Sequence, residues 1–147
     1  MKLIPVSFIV AVALLLAACG KDKFETRPRL EIKDYNAKEL GPGTNLRIRL
    51  NFFDKEGDLN QAPFTAIIRR QNQLPLNPIQ DKTDTLVYTL PDFPAKDNGE
   101  INFTLEYGFL KESTVENDTI HIRFSVADRK GNLSDTVVSD QLVILMP

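Results

Sequence analysis

Apolar side chains fall at every second position over most of this chain, and that period admits β-strands and little else. Leu46, Ile48, Leu50 and Phe52 alternate with Arg47, Arg49, Asn51 and Phe53. Ile101, Phe103, Leu105 and Tyr107 form a second such run, and Ile120, Ile122, Phe124 and Val126 a third. Each run carries polar residues on its other face, as a strand does when only one side of its sheet is buried. Weaker runs over 30–35, 64–70, 85–90 and 136–145 bring the expected count to seven, and no stretch keeps a helical period. Turn formers separate them: Gly41-Pro42-Gly43, Glu56-Gly57-Asp58, the proline-containing stretches 72–82 and 91–99, and Lys130-Gly131-Asn132. Seven short strands at this spacing predict an antiparallel two-sheet sandwich, with a small closed barrel as the alternative. Its edges need protection from further pairing, a task that charges such as Lys33, Arg69 and Arg70 are expected to serve.

A different pattern occupies the first residues. Lys2 precedes an apolar run from Leu3 to Leu16 that ends in small residues before Cys19, the layout of a secretory signal. The run is shorter than the ~20 residues a spanning helix requires. Leu16-Ala17-Ala18-Cys19-Gly20 resembles the lipobox of bacterial lipoproteins. That resemblance implies cleavage before Cys19, acylation of its thiol with chains such as palmitate, and a firm membrane anchor. An ordinary cleaved signal followed by a chance cysteine is the competing reading. Cys19 is the single cysteine of the chain, so no disulfide staples the fold and the core must hold it. The expected division is therefore 1–18 signal peptide, 19–28 lipidated cysteine and polar tether, and 29–147 sandwich. The tether reaches at most about 30 Å at ~3.5 Å per residue.

Removing residues 1–18 leaves 129 of the 147 residues, enough for one domain with its own core. Without Lys2, 17 of the 18 basic residues remain against 20 acidic ones, a formal balance of −3 with the signs interspersed. A nucleic-acid partner, which calls for clustered Lys and Arg, is excluded on this ground.

Two segments carry a family likeness. Asn51-Phe52-Phe53-Asp54-Lys55-Glu56-Gly57-Asp58-Leu59 resembles a strand-then-turn pattern of small Bacteroidota lipoproteins. The stretch from Phe124 through Asp128 and Gly131 to Ser134 is similar to the final hairpin of bacterial Ig-like and fibronectin-like domains. The resemblance implies an Ig-like β-sandwich of about seven strands. It also implies an outer-membrane lipoprotein serving as an accessory subunit of a larger envelope assembly. Gly20 after the cysteine, in place of the aspartate that retains lipoproteins at the inner membrane of enterobacteria, implies the same membrane. Which face of that membrane the protein occupies stays open.

Antiparallel sandwich topology puts the loops after the second, fourth and sixth strands at one end. Those loops hold Asp54, Glu56 and Asp58; Asp92 and Asp97; and Asp128 with Asn132. Calcium takes six to eight oxygen ligands, and alternate carboxylates around a glycine turn can supply several. Asp54, Glu56, Asp58 and Asp128 are thus the candidate ligands of a structural calcium ion bridging the first and third loops. The spacing is not that of an EF-hand, because Gly57 precedes Asp58 rather than following a third ligand. The plainer reading is that Asp and Gly build tight turns. The first strand is expected to begin at this same acidic end.

Signals for catalysis are thin. His121 is the single histidine, and alternation turns it outward beside Arg123 and Ser125, an exposed strand residue by this reading. With Cys19 assigned to lipid, no other imidazole or thiol is available for zinc, and no nucleophile elbow accompanies the histidine. Gly41-Pro42-Gly43 precedes a strand and so lacks the helix N-terminus of a phosphate loop. The chain has no tryptophan for a sugar platform, and Tyr35, Tyr88 and Tyr107 are expected as wall or core residues. Asp84-Thr85-Leu86, Asp118-Thr119-Ile120 and Asp135-Thr136-Val137 match the acceptor pattern for O-glycosylation of exported Bacteroidota proteins, which nominates Thr85, Thr119 and Thr136. Strand starts favour the same residue types. The function expected is that of a non-enzymatic interaction or accessory subunit, working through a loop end or a free sheet edge and anchored to the membrane by lipid. A glycan- or calcium-binding module and a hydrolase are the rivals.

Overall fold

Leu46, Ile48, Leu50 and Phe52 are each 1% exposed or less, and their alternate neighbours face outward. The computed structural model describes residues 27–74 and 83–147. The leader, Cys19 and most of the tether lie outside the described residues. Among the described residues nine strands and one helical turn follow in order: β1 Arg29–Tyr35, β2 Glu39–Leu40, β3 Leu46–Phe53, β4 Pro63–Arg70 and β5 Thr83–Thr89 come first. They are followed by β6 Asn98–Leu105, α1 Tyr107–Leu110, β7 Asp118–Val126, β8 Val137–Val138 and β9 Leu142–Ile144. They form an Ig-like sandwich of two sheets, one ordered β1-β3-β6 and the other β2-β9-β7-β4-β5, with β8 beside β7.

The core lies where the inner faces of β3, β4, β6 and β7 meet. Phe103 touches Phe124 at 5.1 Å between ring centroids and Phe64 at 6.1 Å, and Phe64 stacks on Phe124 at 5.8 Å. A cluster of this kind substitutes for disulfides, since each buried aromatic removes a large apolar area from water.

The first expected strand, 30–35, is β1, and a further short strand, outside the expected seven, follows it; the last expected strand, 136–145, is divided into β8 and β9. The added strand arises because the chain changes sheets after β1. The register of β1 with β3 shifts between Ile32 and Asp34, and the chain then crosses to run parallel to β9 as β2. Asn36 bridges the gap, its Oδ1 accepting from the Arg47 amide at 2.7 Å and its Nδ2 donating to the Asn45 carbonyl at 2.9 Å. The last breaks because serine hydroxyls stand in for main-chain rungs. Ser134 Oγ accepts the Val126 amide at 3.0 Å, Ser139 Oγ accepts the Ile122 amide at 2.8 Å, and each hydroxyl donates to the carbonyl of the aspartate that follows.

Arg69 and Arg70 do not guard an edge. They lie on β4, between β5 and β7, and the fully buried Arg70 side chain pairs with Asp84 and Glu112. Alternation alone cannot separate an edge strand from a central one. Tyr107 opens α1 rather than extending β6.

Candidate functional site

Three loops meet at one end, as antiparallel topology requires. The Asp54 amide donates to the Asp97 carbonyl at 2.7 Å, the Gln61 amide to the Pro91 carbonyl at 3.3 Å, and the Ala127 amide to the Pro63 carbonyl at 3.1 Å. Arg29 pairs with Phe53, so β1 starts at this acidic end, as expected. Gly57 sits at φ +68°, and a Cβ there would lie 3.2 Å from the Lys96 backbone nitrogen, so the turn needs glycine on two counts.

Of the four candidate calcium ligands, the fold brings three together: oxygens of Glu56, Asp58 and Asp128 lie within 4.8 Å of one another. Asp54 stands outside that group. It is buried, and its carboxylate accepts the Asp58 amide at 2.9 Å and the Glu56 amide at 3.4 Å, closing its own turn. Asp128 is likewise engaged, accepting the amides of Lys130 and Asn132 and the Asn132 side-chain amide. Glu56 pairs with Lys130 at 2.6 Å, which already places a cation at the cluster. Asp58 differs, because its Oδ1 is buried without a hydrogen-bond partner. Burial first, and then the charges of Asp54 and Asp128, push its carboxyl above the usual range.

A second feature was not foreseen. The smaller sheet ends at β6, whereas the larger continues past β4 to β5. Tyr88 pairs with Phe64 and Leu86 with Ala66, so both share the inner face, yet Leu86 is only half-buried and Tyr88 is 43% exposed. Between Tyr88 and the edge of β6 runs an apolar groove of about 590 Å³, its floor formed by Phe52, Phe64 and Phe103 and its flank by Ile101. The β5-to-β6 crossover closes one end. Phe93 stacks on Phe52 at 5.8 Å, and Lys96 Nζ lies 4.8 Å from the Phe93 centroid and 5.4 Å from that of Phe52. Gly99 makes this possible, since a Cβ there would meet the Phe52 ring at 2.6 Å. Tyr88 is therefore a groove wall. Tyr35 and Tyr107 are half-buried, bonded to the Asp140 amide and the Leu145 carbonyl. The sequence signal for the groove was faint: a β6 run without proline or lysine, and an aromatic residue inside a proline-rich crossover.

His121 is half-buried rather than exposed. The segment joining β8 to β9 covers it, and its Nδ1 lies 3.1 Å from the Ser139 carbonyl. Thr85 and Thr136 are exposed, while Thr119 is half-buried behind the fully buried Asp118. Lys33 lies on an edge strand, as expected, where it bonds Glu100.

No protein-family model and no curated protein matches the chain. Solved structures do. A cohesin module of a Clostridium perfringens family 33 glycoside hydrolase matches at TM-score 0.40 and 15% identity, covering 83% of this chain and 99% of that one. The major pilin subunit of Bacillus cereus matches at TM-score 0.37 and 11% identity, over 82% of this chain and 40% of the pilin. A Listeria innocua β-glucosidase matches at TM-score 0.39 and 13% identity, over 80% of this chain but 16% of the enzyme. At these values the likeness concerns the sandwich alone.

Proposed function

We propose that the protein is a non-enzymatic interaction module, tethered to the outer membrane through lipid on Cys19 and acting as an accessory subunit of an envelope assembly. The observation that carries this reading is a β6 edge that no strand among the described residues pairs with, beside an apolar wall that none of them covers, since exposed apolar area rimmed by polar residues marks interaction sites. The titratable residues bordering the groove are Tyr88, Lys96 and Glu100, and the Glu100 carboxylate is occupied by Lys33 and Arg49, an arrangement that suits binding better than proton transfer. The test is gentle detergent extraction of membranes from the native host, followed by affinity capture and mass spectrometry. A stoichiometric envelope partner and an acylated Cys19 are the expected results. Recovery of the protein alone, in the aqueous phase with an unmodified thiol, would overturn the proposal.

A second reading is favoured by the unpartnered Asp58 oxygen. A calcium ion held by Glu56, Asp58 and Asp128 would satisfy it and displace Lys130 from Glu56. Millimolar calcium then raises the melting temperature relative to chelator, and Asp58→Asn abolishes the rise. A melting temperature indifferent to calcium disposes of this reading.

A further inference from the structure

We infer that the groove takes one extended polypeptide segment, added as a fourth strand against β6, with apolar side chains at alternate positions and a carboxylate at its end beside Lys96. This deepens the interaction-module reading and rests on it. The edge is open to pairing. β6 runs eight residues in unbroken register with β3, from Leu46 opposite Leu105 to Phe53 opposite Asn98, with no bulge, proline or lysine. Its one charge, Glu100, points to the outer face and is held by Lys33. By contrast, the opposite edge strand of the same sheet, β1, carries a register shift and Lys33, devices that discourage pairing.

Geometry then selects the occupant. A strand laid ~4.8 Å beyond β6 lies over β5, and its period of two directs alternate side chains onto Leu86 and Tyr88. A strand added instead to the free edge of β5 would have no sheet opposite it and would bury less. A second copy offering its own β6 brings its β4 into the layer already filled by β5, because both sheets share the same strand spacing. A lone segment avoids that collision. Lys96 supplies the polarity: its ammonium lies over two rings and makes no ion pair among the described residues, so the closed end of the groove attracts a carboxylate.

The test is selection from a display library of free-C-terminal peptides about ten residues long, enough to span β6 at ~3.3 Å per residue, with Tyr88→Lys protein as counter-selection. Expected are sequences alternating apolar and polar residues with an acidic group or free carboxylate at one end. Bound peptide slows amide exchange within Asn98–Leu105. Tyr88→Lys weakens binding about tenfold or more, as removal of a central aromatic contact does. Lys96→Glu, an exposed change, reverses the preferred end charge to basic. Absence of enrichment, enrichment without alternation, protection away from β6, or an end-charge preference unmoved by Lys96→Glu overturns the inference. A concentration-dependent dimer that protects β6 overturns it in favour of a second copy. Capture of a stoichiometric envelope partner regardless of Tyr88→Lys leaves the interaction-module reading intact and removes the groove alone.

Discussion

The carboxylate of Asp118 is fully buried, yet its oxygens accept from Asn72 Nδ2 at 2.6 Å, Lys111 Nζ at 2.7 Å, and the amides of Glu112 and Ser113. Burial alone would raise its pKa. The donors outweigh burial, Lys111 foremost, and hold the carboxyl below the usual range. A carboxylate with a lowered folded value stabilises fully above its unfolded value of ~3.9 and stops doing so as pH falls through the folded one. Asp118→Asn should therefore lose stability at pH 7, with the gap to wild type closing below about pH 4 in urea melts. Asp118→Ala should cost about 3–5 kcal/mol, because it strands the Lys111 ammonium, itself 9% exposed. Asp58 has the opposite sign. Its raised carboxyl binds a proton more tightly folded than unfolded, so ionisation destabilises as pH climbs past ~3.9. In calcium-free buffer Asp58→Asn should melt higher than wild type at pH 7, and the advantage should vanish towards pH 3. An advantage independent of pH would refute this assignment.

Ser139 shows how a single hydroxyl defines an element. Its Oγ takes the Ile122 amide while its own amide donates to the Ile122 carbonyl at 2.8 Å, so β7 stays paired where β8 has ended and β9 not begun. Ser139→Ala should leave a buried amide unsatisfied, cost about 1–3 kcal/mol, and speed exchange at Ile122; unchanged exchange there would contradict this role. The run from Thr136 to Leu145 reads as one weak strand, although the polar Ser139-Asp140-Gln141 that interrupts its apolar residues stands where the break falls. The runs around Leu50 and Phe124 were legible because each buries one complete face against the other sheet, and the run around Phe103 because Phe103 and Leu105 are buried there. Arg70 was not, since the partners that let it be buried, Asp84 on β5 and Glu112 in the segment before β7, are brought to it by the fold rather than by neighbours in sequence. The acidic loops were legible as a cluster because antiparallel connections alone put them at one end. Which carboxylates converge was not: Asp54 is withdrawn by amides that only the folded turn presents to it.

The molecule as a whole is a sandwich of unequal sheets. Because the fifth strand pairs with the fourth and not with the sixth, one sheet has three strands against five along the other's main path. Among the described residues that choice leaves β6 without a second neighbour and Tyr88 without a cover, and no local pattern distinguishes it from the constant-type arrangement, in which the fourth of seven strands pairs with the fifth in a four-stranded sheet. The groove, the interaction role and the proposed occupant all descend from it. Amide hydrogen exchange of the free protein, resolved residue by residue by NMR, tests it most directly. Every second amide across Asn98–Leu105 should exchange fast while those directed at β3 exchange slowly, and β3, flanked on both sides, should be protected throughout. Uniform slow exchange along β6 would mean that the edge is already covered, and would contradict the account.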